Sequence, residues 1–183
     1  GDFCDWYIEL IKNRLNDGEP GAPHAFRSIA LPVFRKTMEL LHPIMPFITE
    51  EIWSNMDGRN DGSIMTADPG NYDSSILDPE SDRKMALLQE TIYAVRNVRG
   101  EMNVPPGKKA RLFIRCDDDL KTGILREYSP YIKNLAKVES IEIGADTAKP
   151  EQSATAVVEN MEIFIPLAGL IDIDAERKRL EKE

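Results

Sequence analysis

The chain has 183 residues, of which 42% are apolar and 30% charged, and its formal net charge is −9. This composition is typical of a globular protein that buries a core, and no apolar run approaches the ~20 residues that a membrane helix needs. Cys4 and Cys116 are too few for a disulfide framework or a zinc site, so we expect reduced thiols in a cytoplasmic protein. The chain starts at Gly1 without a signal peptide, and we expect it to be a fragment of a longer protein.

The first part of the chain has the hydrophobic spacing of helices. Helices are predicted at residues 3–15, 23–41 and 45–55. Pro32 should kink or split the second helix, and prolines at positions 43 and 46 separate it from the third. The third helix should carry Phe47, Ile48, Ile52 and Trp53 on one side. The large aromatic side chains are expected in the core rather than in base stacking; they are Trp6, Tyr7, Phe47 and Trp53.

A surface loop is predicted at residues 56–78, where small, polar and turn-forming residues dominate. Asp78 is predicted to be the N-cap of the next helix, with Pro79 at the first helical position. An apolar stripe predicts a long helix from there to about residue 102. Pro105-Pro106-Gly107 ends this helix, because proline cannot continue it.

After the end of this helix the side chains alternate with a period of two residues, which is typical of strands. Strands are predicted at residues 110–115, 138–143, 153–159 and 161–167, with a helical segment at 118–136 broken near Pro130. The last two strands are joined tightly around Asn160. From Asp172 the chain is highly charged, with the spacing of a solvated helix that begins a coiled coil. The predicted fold is mainly α, and its parts are a helical bundle at 1–104, a small α+β unit at 105–171 and the start of a coiled-coil arm at 172–183.

One basic segment interrupts the acidic chain. Residues 96–115 contain six cations and one acid, a net charge of +5, whereas the rest of the chain has −14. Arg96, Arg99 and Asn103 share one face of the predicted helix, beside the apolar stripe. Two arginines on one face suit phosphate contacts or stacking on an unpaired base. Alternatively, the arginines pair with acids such as Glu50 and Glu51, or the segment is a solvated surface.

No pattern in the chain predicts a catalytic or metal site. His42 has no serine, cysteine or second metal ligand at a useful spacing, so we expect it to pack or hydrogen-bond at the helix end. Glu50 and Glu51 point about 100° apart on a helix, which excludes a facing acid–base pair.

Four stretches, at residues 3–9, 40–53, 96–109 and 165–172, resemble a known family. The segment from Leu40 to Trp53, LLHPIMPFITEEIW, resembles the one that marks the anticodon-binding helical domain of the class I synthetases for valine, isoleucine and leucine. The other three stretches are similar to the valyl-tRNA synthetase family in particular, among them RNVRGEMNVPPGKK at 96–109 and IPLAGLID at 165–172. In that family the last stretch leads into a long C-terminal coiled-coil arm.

The resemblance implies a domain that binds the anticodon stem-loop of the tRNA for valine. A separate domain, with ATP and magnesium, would make valyl-adenylate and transfer it. Nothing in this chain resembles the catalytic signatures His-Ile-Gly-His or Lys-Met-Ser-Lys-Ser, so the chain itself is expected to have no catalytic site and no cofactor. The resemblance favours tRNA contact by Arg96, Arg99, Asn103, Lys108 and Lys109. Arg99→Ala should then weaken tRNA binding and flatten its salt dependence.

The resemblance also implies that the first helix of the family's bundle precedes Gly1 and that the arm continues beyond Glu183. We therefore expect an exposed apolar bundle face through which the fragment can self-associate, whereas the longer protein would be a monomer. Two alternatives stay open. One is a protein-interaction or scaffold module with a synthetase-like bundle, which the acidic charge favours. The other is the isoleucyl relative, which commonly carries a cysteine-rich C-terminal zinc region that is absent here.

Overall fold

The computed structural model describes residues 2–16, 18, 20–56, 62–67 and 74–171. Within these residues six α-helices and one four-stranded sheet are formed. The helices are α1 (Ile8–Asn16), α2 (Ala22–Leu41), α3 (Pro46–Ser54), α4 (Pro79–Glu101), α5 (Asp119–Glu127) and α6 (Ser129–Leu135). The strands are β1 (Ala110–Arg115), β2 (Val138–Gly144), β3 (Ser153–Val158) and β4 (Met161–Pro166). None of the described helices is long and apolar enough to span a membrane.

The chain divides into two compact units, Gly1–Ile76 and Leu77–Glu183. Helix α4 belongs to the second unit, whereas the sequence analysis groups residues 1–104 as a bundle on the basis of helical period. The buried stripe of α4 accounts for this difference, because α4 packs on β3 and β4 of the sheet. The predicted arm at residues 172–183 lies outside the described residues.

The first unit is a small helical bundle in which α2 packs against both α1 and α3. Its core contains the buried residues Met38, Met56 and Ile64, and apolar side chains of α2 and α3 pack around them. Helix α2 continues past Pro32 as one helix. Trp6 is buried, as predicted, and Trp53 is half-buried with the guanidinium of Arg35 5.5 Å above its ring.

The turn between α2 and α3 is held by the hydroxyl of Thr49, a residue that is only 1% exposed. This hydroxyl donates to the carbonyl of Met45 at 2.8 Å and lies 2.7 Å from Nδ1 of His42. The hydroxyl has one hydrogen, so when it donates to the carbonyl, Nδ1 of His42 is the donor in the second bond. The predicted role of His42, a hydrogen bond at the helix end, is confirmed.

The prediction that Phe47 lies in the core is wrong, and Ile48, predicted on the same side of the helix, is exposed too. Phe47 is 91% and Ile48 49% exposed. The inward positions of α3 are instead Thr49, Ile52 and Trp53, which have the i, i+3, i+4 spacing of one helix face. Phe47 lies two positions before Thr49, about 200° around the helix from it, because successive residues are ~100° apart. Occupation of the inner position by a polar threonine thus turns Phe47 outward.

The second unit is built on a mixed sheet with strand order β2-β1-β4-β3. Strands β1 and β2 are parallel, and the chain between them forms α5 and α6, as a parallel connection requires. The β1–β4 and β3–β4 pairs are antiparallel, and the tight turn at Asn160 joins the last two strands. Since α4, α5 and α6 also contact one another, we infer that they cover one face of the sheet.

Local sequence explains where α4 begins. The carboxylate of Asp78 accepts the backbone N–H groups of Glu80 and Ser81 and the hydroxyl of Ser81. These hydrogen bonds stabilise the charged carboxylate and so lower the pKa of Asp78. The bond from the Ser81 hydroxyl has the largest effect. The predicted N-cap at Asp78 with Pro79 at the first helical position is confirmed.

Replacement of Thr49 by valine tests the turn between α2 and α3. Thr49→Val should lower the free energy of unfolding of the first unit by about 1–3 kcal/mol, because His42 loses its buried partner and the Met45 carbonyl loses one of its two donors. Both tryptophans, Trp6 and Trp53, lie in this unit, so tryptophan fluorescence in a urea titration reports on it. Thr37→Val is the matched control, because Thr37 also bonds the carbonyl four residues earlier but has no histidine partner. An equal loss in both variants would contradict a special role of Thr49.

Candidate nucleic-acid interface

Two lysines lie side by side where the parallel strands β1 and β2 begin. Ala110 pairs with Val138 in register, and its N–H donates to the carbonyl of Lys137 at 3.1 Å. Lys109 and Lys137, which precede the paired residues, therefore occupy neighbouring positions on strands that are ~4.8 Å apart. Both lysines are exposed. Lys137 has a φ of 55°, the left-handed conformation that turns the chain from α6 into β2.

Arg99 is buried beneath this end of the sheet. It is 8% exposed whereas Arg96 is exposed, so the two arginines predicted to share a helix face differ in burial. Its guanidinium donates to the carbonyl oxygen of Lys108 at 2.8 Å and to those of Pro105 and Lys137 at 3.4 Å. Burial lowers the pKa of Arg99. The side chain thus ties the loop after α4 to the start of β2 through backbone groups only.

The loop after α4 starts at a left-handed residue, Asn103, with a φ of 49°. The N–H of Asn103 donates to Gly100, and that of Val104 donates to Arg99. This pair of bonds is the Schellman arrangement of a helix C-terminus, in which Asn is tolerated in the left-handed position. Val104 is buried just after it, as the motif favours. Asn103 is exposed, so its side chain projects from a backbone that the cap holds in place.

Lys108 is tied to a distant part of the chain. Its ammonium group donates to the carbonyls of Gly169 at 2.9 Å and Leu170 at 3.0 Å. These carbonyls belong to the segment IPLAGLID, whose first two residues are the last two of β4. Lys108 therefore connects the loop after α4 to the point where the described chain ends, at Ile171.

Arg96 and Arg99 both reach the end of α6. Nε of Arg96 donates to the carbonyl of Leu135 at 2.9 Å, and Arg99 binds the carbonyl of Lys137. The last carbonyls of a helix lack partners within it and carry partial negative charge, so guanidinium groups stabilise them. Within the second unit, the hydrogen bonds described for these arginines thus go to backbone carbonyls.

The other two cations of the basic segment lie on β1. Arg115 pairs with Glu162 at 2.7 Å, and its guanidinium carbon lies 5.0 Å from the centre of the Phe164 ring. Arg111 is exposed. In the described part of the chain, no three His, Cys, Asp or Glu side chains come close enough together to hold a metal ion.

The structure therefore distinguishes two kinds of cation at this end of the sheet. Arg99 and Lys108 have their donors directed to backbone carbonyls, whereas the side-chain ammonium groups of Lys109 and Lys137 have no hydrogen bond or ion pair among the described residues. Two cations at neighbouring backbone positions suit an anion that binds both, because the anion offsets their mutual repulsion. We refer to Lys109 and Lys137 as the lysine pair. Direct RNA contact by Arg96, Arg99, Asn103, Lys108 and Lys109 stays a prediction.

Sequence reasoning missed Lys137, which is 28 positions after Lys109. Its proximity depends on the parallel pairing of β1 and β2, which no local pattern reveals. The burial of Arg99 did have a signal. Leu88, Ile92, Val95 and Arg99 are spaced i, i+4, i+7 and i+11, so Arg99 continues the buried stripe of α4.

Comparison with known proteins identifies the family. The family described as the anticodon-binding domain of tRNA ligase matches residues 1–114, which is more than half of the chain. The chain belongs to this family. Four of the elements described above, α1 to α4, lie within the matched residues, as do all five of the predicted site residues. Lys137 lies beyond them.

Relatives of this anticodon-binding domain match nearly the whole chain. The valine–tRNA ligase of Listeria monocytogenes is 42% identical over 182 residues, that of Bacillus cereus 40% over 181, and that of Syntrophotalea carbinolica 39% over 183. These matches cover 99–100% of this chain and 20% of each relative. The chain thus spans about a fifth of the length of the curated relatives it matches.

Replacement of Arg99 tests its role in holding the loop. Arg99→Met should lower the free energy of unfolding of the second unit by about 1–3 kcal/mol, because buried carbonyls lose charged donors. Arg111→Met, at an exposed position of the same unit, should change it by less than about 0.5 kcal/mol. Both tryptophans lie in the first unit, so amide signals of β1 and β4 in a urea titration monitored by NMR are the appropriate readout. Equal stability of the two variants would contradict the proposed anchoring.

Proposed function

We propose that this chain is the tRNA-binding C-terminal part of a valine–tRNA ligase, the enzyme that attaches valine to its tRNA with ATP. The observation that carries the proposal is similarity along the entire chain to enzymes of that name, together with the family match over residues 1–114. In this proposal the chain recognises and orients tRNA, and the chemistry belongs to other parts of the longer protein.

The lysine pair supplies the RNA contact in this proposal. Phosphate contacts dominate the affinity of proteins for nucleic acids, and exposed lysines without acid partners are available to make them. Arg99 and Lys108 support the contact by holding the loop that presents Lys109. Asn103, at the exposed start of the same loop, is available for a sugar or base contact.

Further parts of the proposal concern the longer protein. Residues 172–183, with the spacing of a charged helix, would begin a coiled-coil arm. ATP and magnesium would bind in the catalytic part, and this chain would need no cofactor of its own. We place the protein in the cytoplasm as a monomer, in keeping with the free thiols of Cys4 and Cys116.

Binding of the purified chain to the tRNA for valine across a salt series tests this function. Each lysine that neutralises a phosphate contributes about 0.7–0.9 to the slope of log K against log salt. Lys109→Gln and Lys137→Gln should each flatten the slope by about that amount and weaken binding. Arg83→Gln is the matched control, because Arg83 is exposed and 16 residues, or about 24 Å, along α4 from Arg99. A tRNA for another amino acid tests valine specificity.

Two results would contradict different parts of the proposal. Tight binding with slopes unchanged in both lysine variants would place the RNA contact elsewhere on the chain. Absence of binding to either tRNA by the folded chain would contradict the tRNA-binding function and favour a scaffold role.

A further inference from the structure

A cleft lies at the edge of the sheet in the second unit, on the side where α5 and α6 pack on β2. Its volume is about 220 Å³, and it is lined by Arg126, Ser129, Lys133, Ile141 and Ile143. Helix α5 ends at Glu127 and helix α6 begins at Ser129, so the chain turns between them. Both short helices pack on the edge strand β2. None of the lining residues belongs to the predicted tRNA site or to residues 1–114.

The side chains that line the cleft are suited to an anion. Arg126 and Lys133 are cations, Ser129 supplies a hydroxyl, and no carboxylate lines the cleft. Glu142 lies between Ile141 and Ile143 in β2, so strand alternation directs it to the opposite face of the sheet. In the described part of the chain neither Arg126 nor Lys133 forms an ion pair with a carboxylate.

One hydrogen bond holds the guanidinium of Arg126 in position, and that bond uses only one of its N–H donors. Its Nη2 donates to the carbonyl of Ile143 at 2.9 Å, which fixes the group against the end of β2. A guanidinium has five N–H donors, so the remaining ones stay available. Lys133 has no described hydrogen bond, and its side chain is exposed. Arginine and lysine both bind phosphate through charge-assisted hydrogen bonds.

Size and position limit what the cleft can bind. Its volume is below the ~300–1,000 Å³ of pockets that hold whole small-molecule ligands, so a phosphate group fits better than a nucleotide cofactor. The cleft lies near Ile143, at the far end of β2 from Lys137. Six residues of strand separate these positions, a distance of about 20 Å. Cations therefore occur at both ends of one sheet edge, as a polyanion that runs along the edge would require.

We propose that the cleft formed by Arg126, Ser129 and Lys133 binds a backbone phosphate of tRNA, separate from the phosphate contacts of the lysine pair. This inference rests on the proposed tRNA-binding function and extends the RNA footprint beyond the family's matched residues. Arg126 and Lys133 neutralise the phosphate charge, and Ser129 donates a hydrogen bond to one of its oxygens.

The experiment uses the whole chain and the tRNA for valine in a salt series. Lys133→Gln should weaken binding several-fold and flatten the slope of log K against log salt by about 0.7–0.9. Ser129→Ala should weaken binding without changing the slope, because it removes a hydrogen bond but no charge. Arg83→Gln again serves as the matched control and should leave both quantities unchanged. Arg126→Gln should resemble Lys133→Gln, but it also removes the bond to Ile143, so Lys133→Gln decides the result.

Amide NMR signals provide a second readout. Signals of Ser129, Lys133 and Ile143 should shift on addition of tRNA at concentrations where inorganic phosphate leaves them unchanged. Equal shifts with inorganic phosphate would show a site for free phosphate and overturn the assignment to RNA.

The outcomes separate this inference from the function on which it rests. If the wild-type chain binds tRNA and Lys133→Gln binds with the same affinity and slope, the cleft is not an RNA site and the proposed function stands. If the folded wild-type chain does not bind tRNA, the proposed function and this inference both fail.

Discussion

The second unit depends on one buried guanidinium. Arg99 donates to carbonyls of Lys108, Pro105 and Lys137, which belong to the loop after α4 and to the turn before β2. A buried charge is tolerated only where such partners surround it. The position of Lys109 beside Lys137 follows from this arrangement.

The sheet topology places cations that are distant in sequence at neighbouring positions at one end of the sheet. Parallel strands begin at the same end of a sheet, so residues before β1 and β2 become neighbours although 28 positions separate Lys109 from Lys137. Lys108 links the same loop to Gly169 and Leu170, where the described chain ends. Cations of one region thus have two roles, to hold the backbone and to remain free for an anion. This division reconciles a chain of net charge −9 with the proposed nucleic-acid partner.

Most secondary-structure elements were predictable because their signals are local. The N-cap at Asp78, the strand period after Pro105 and the tight turn at Asn160 all depend on neighbouring residues. Two features, the exposure of Phe47 and the position of Lys137, had no such local signal, whereas the burial of Arg99 did. Phe47 is exposed because Thr49 takes the inner position of α3 to bond His42, and Arg99 is buried because carbonyls from distant segments surround it. Lys137 became a candidate only through the pairing of strands.

The central claim is that Arg99 acts on RNA binding through the lysine pair rather than by contact with RNA. A double-mutant cycle on tRNA affinity tests it most directly, because coupling between residues appears as non-additivity. Arg99→Met would be measured in the natural chain and in one that carries Lys109→Gln and Lys137→Gln. Our account predicts a large loss of affinity in the first background and little further loss in the second. An equal loss in both backgrounds would show that Arg99 contributes independently of the two lysines and would contradict the account.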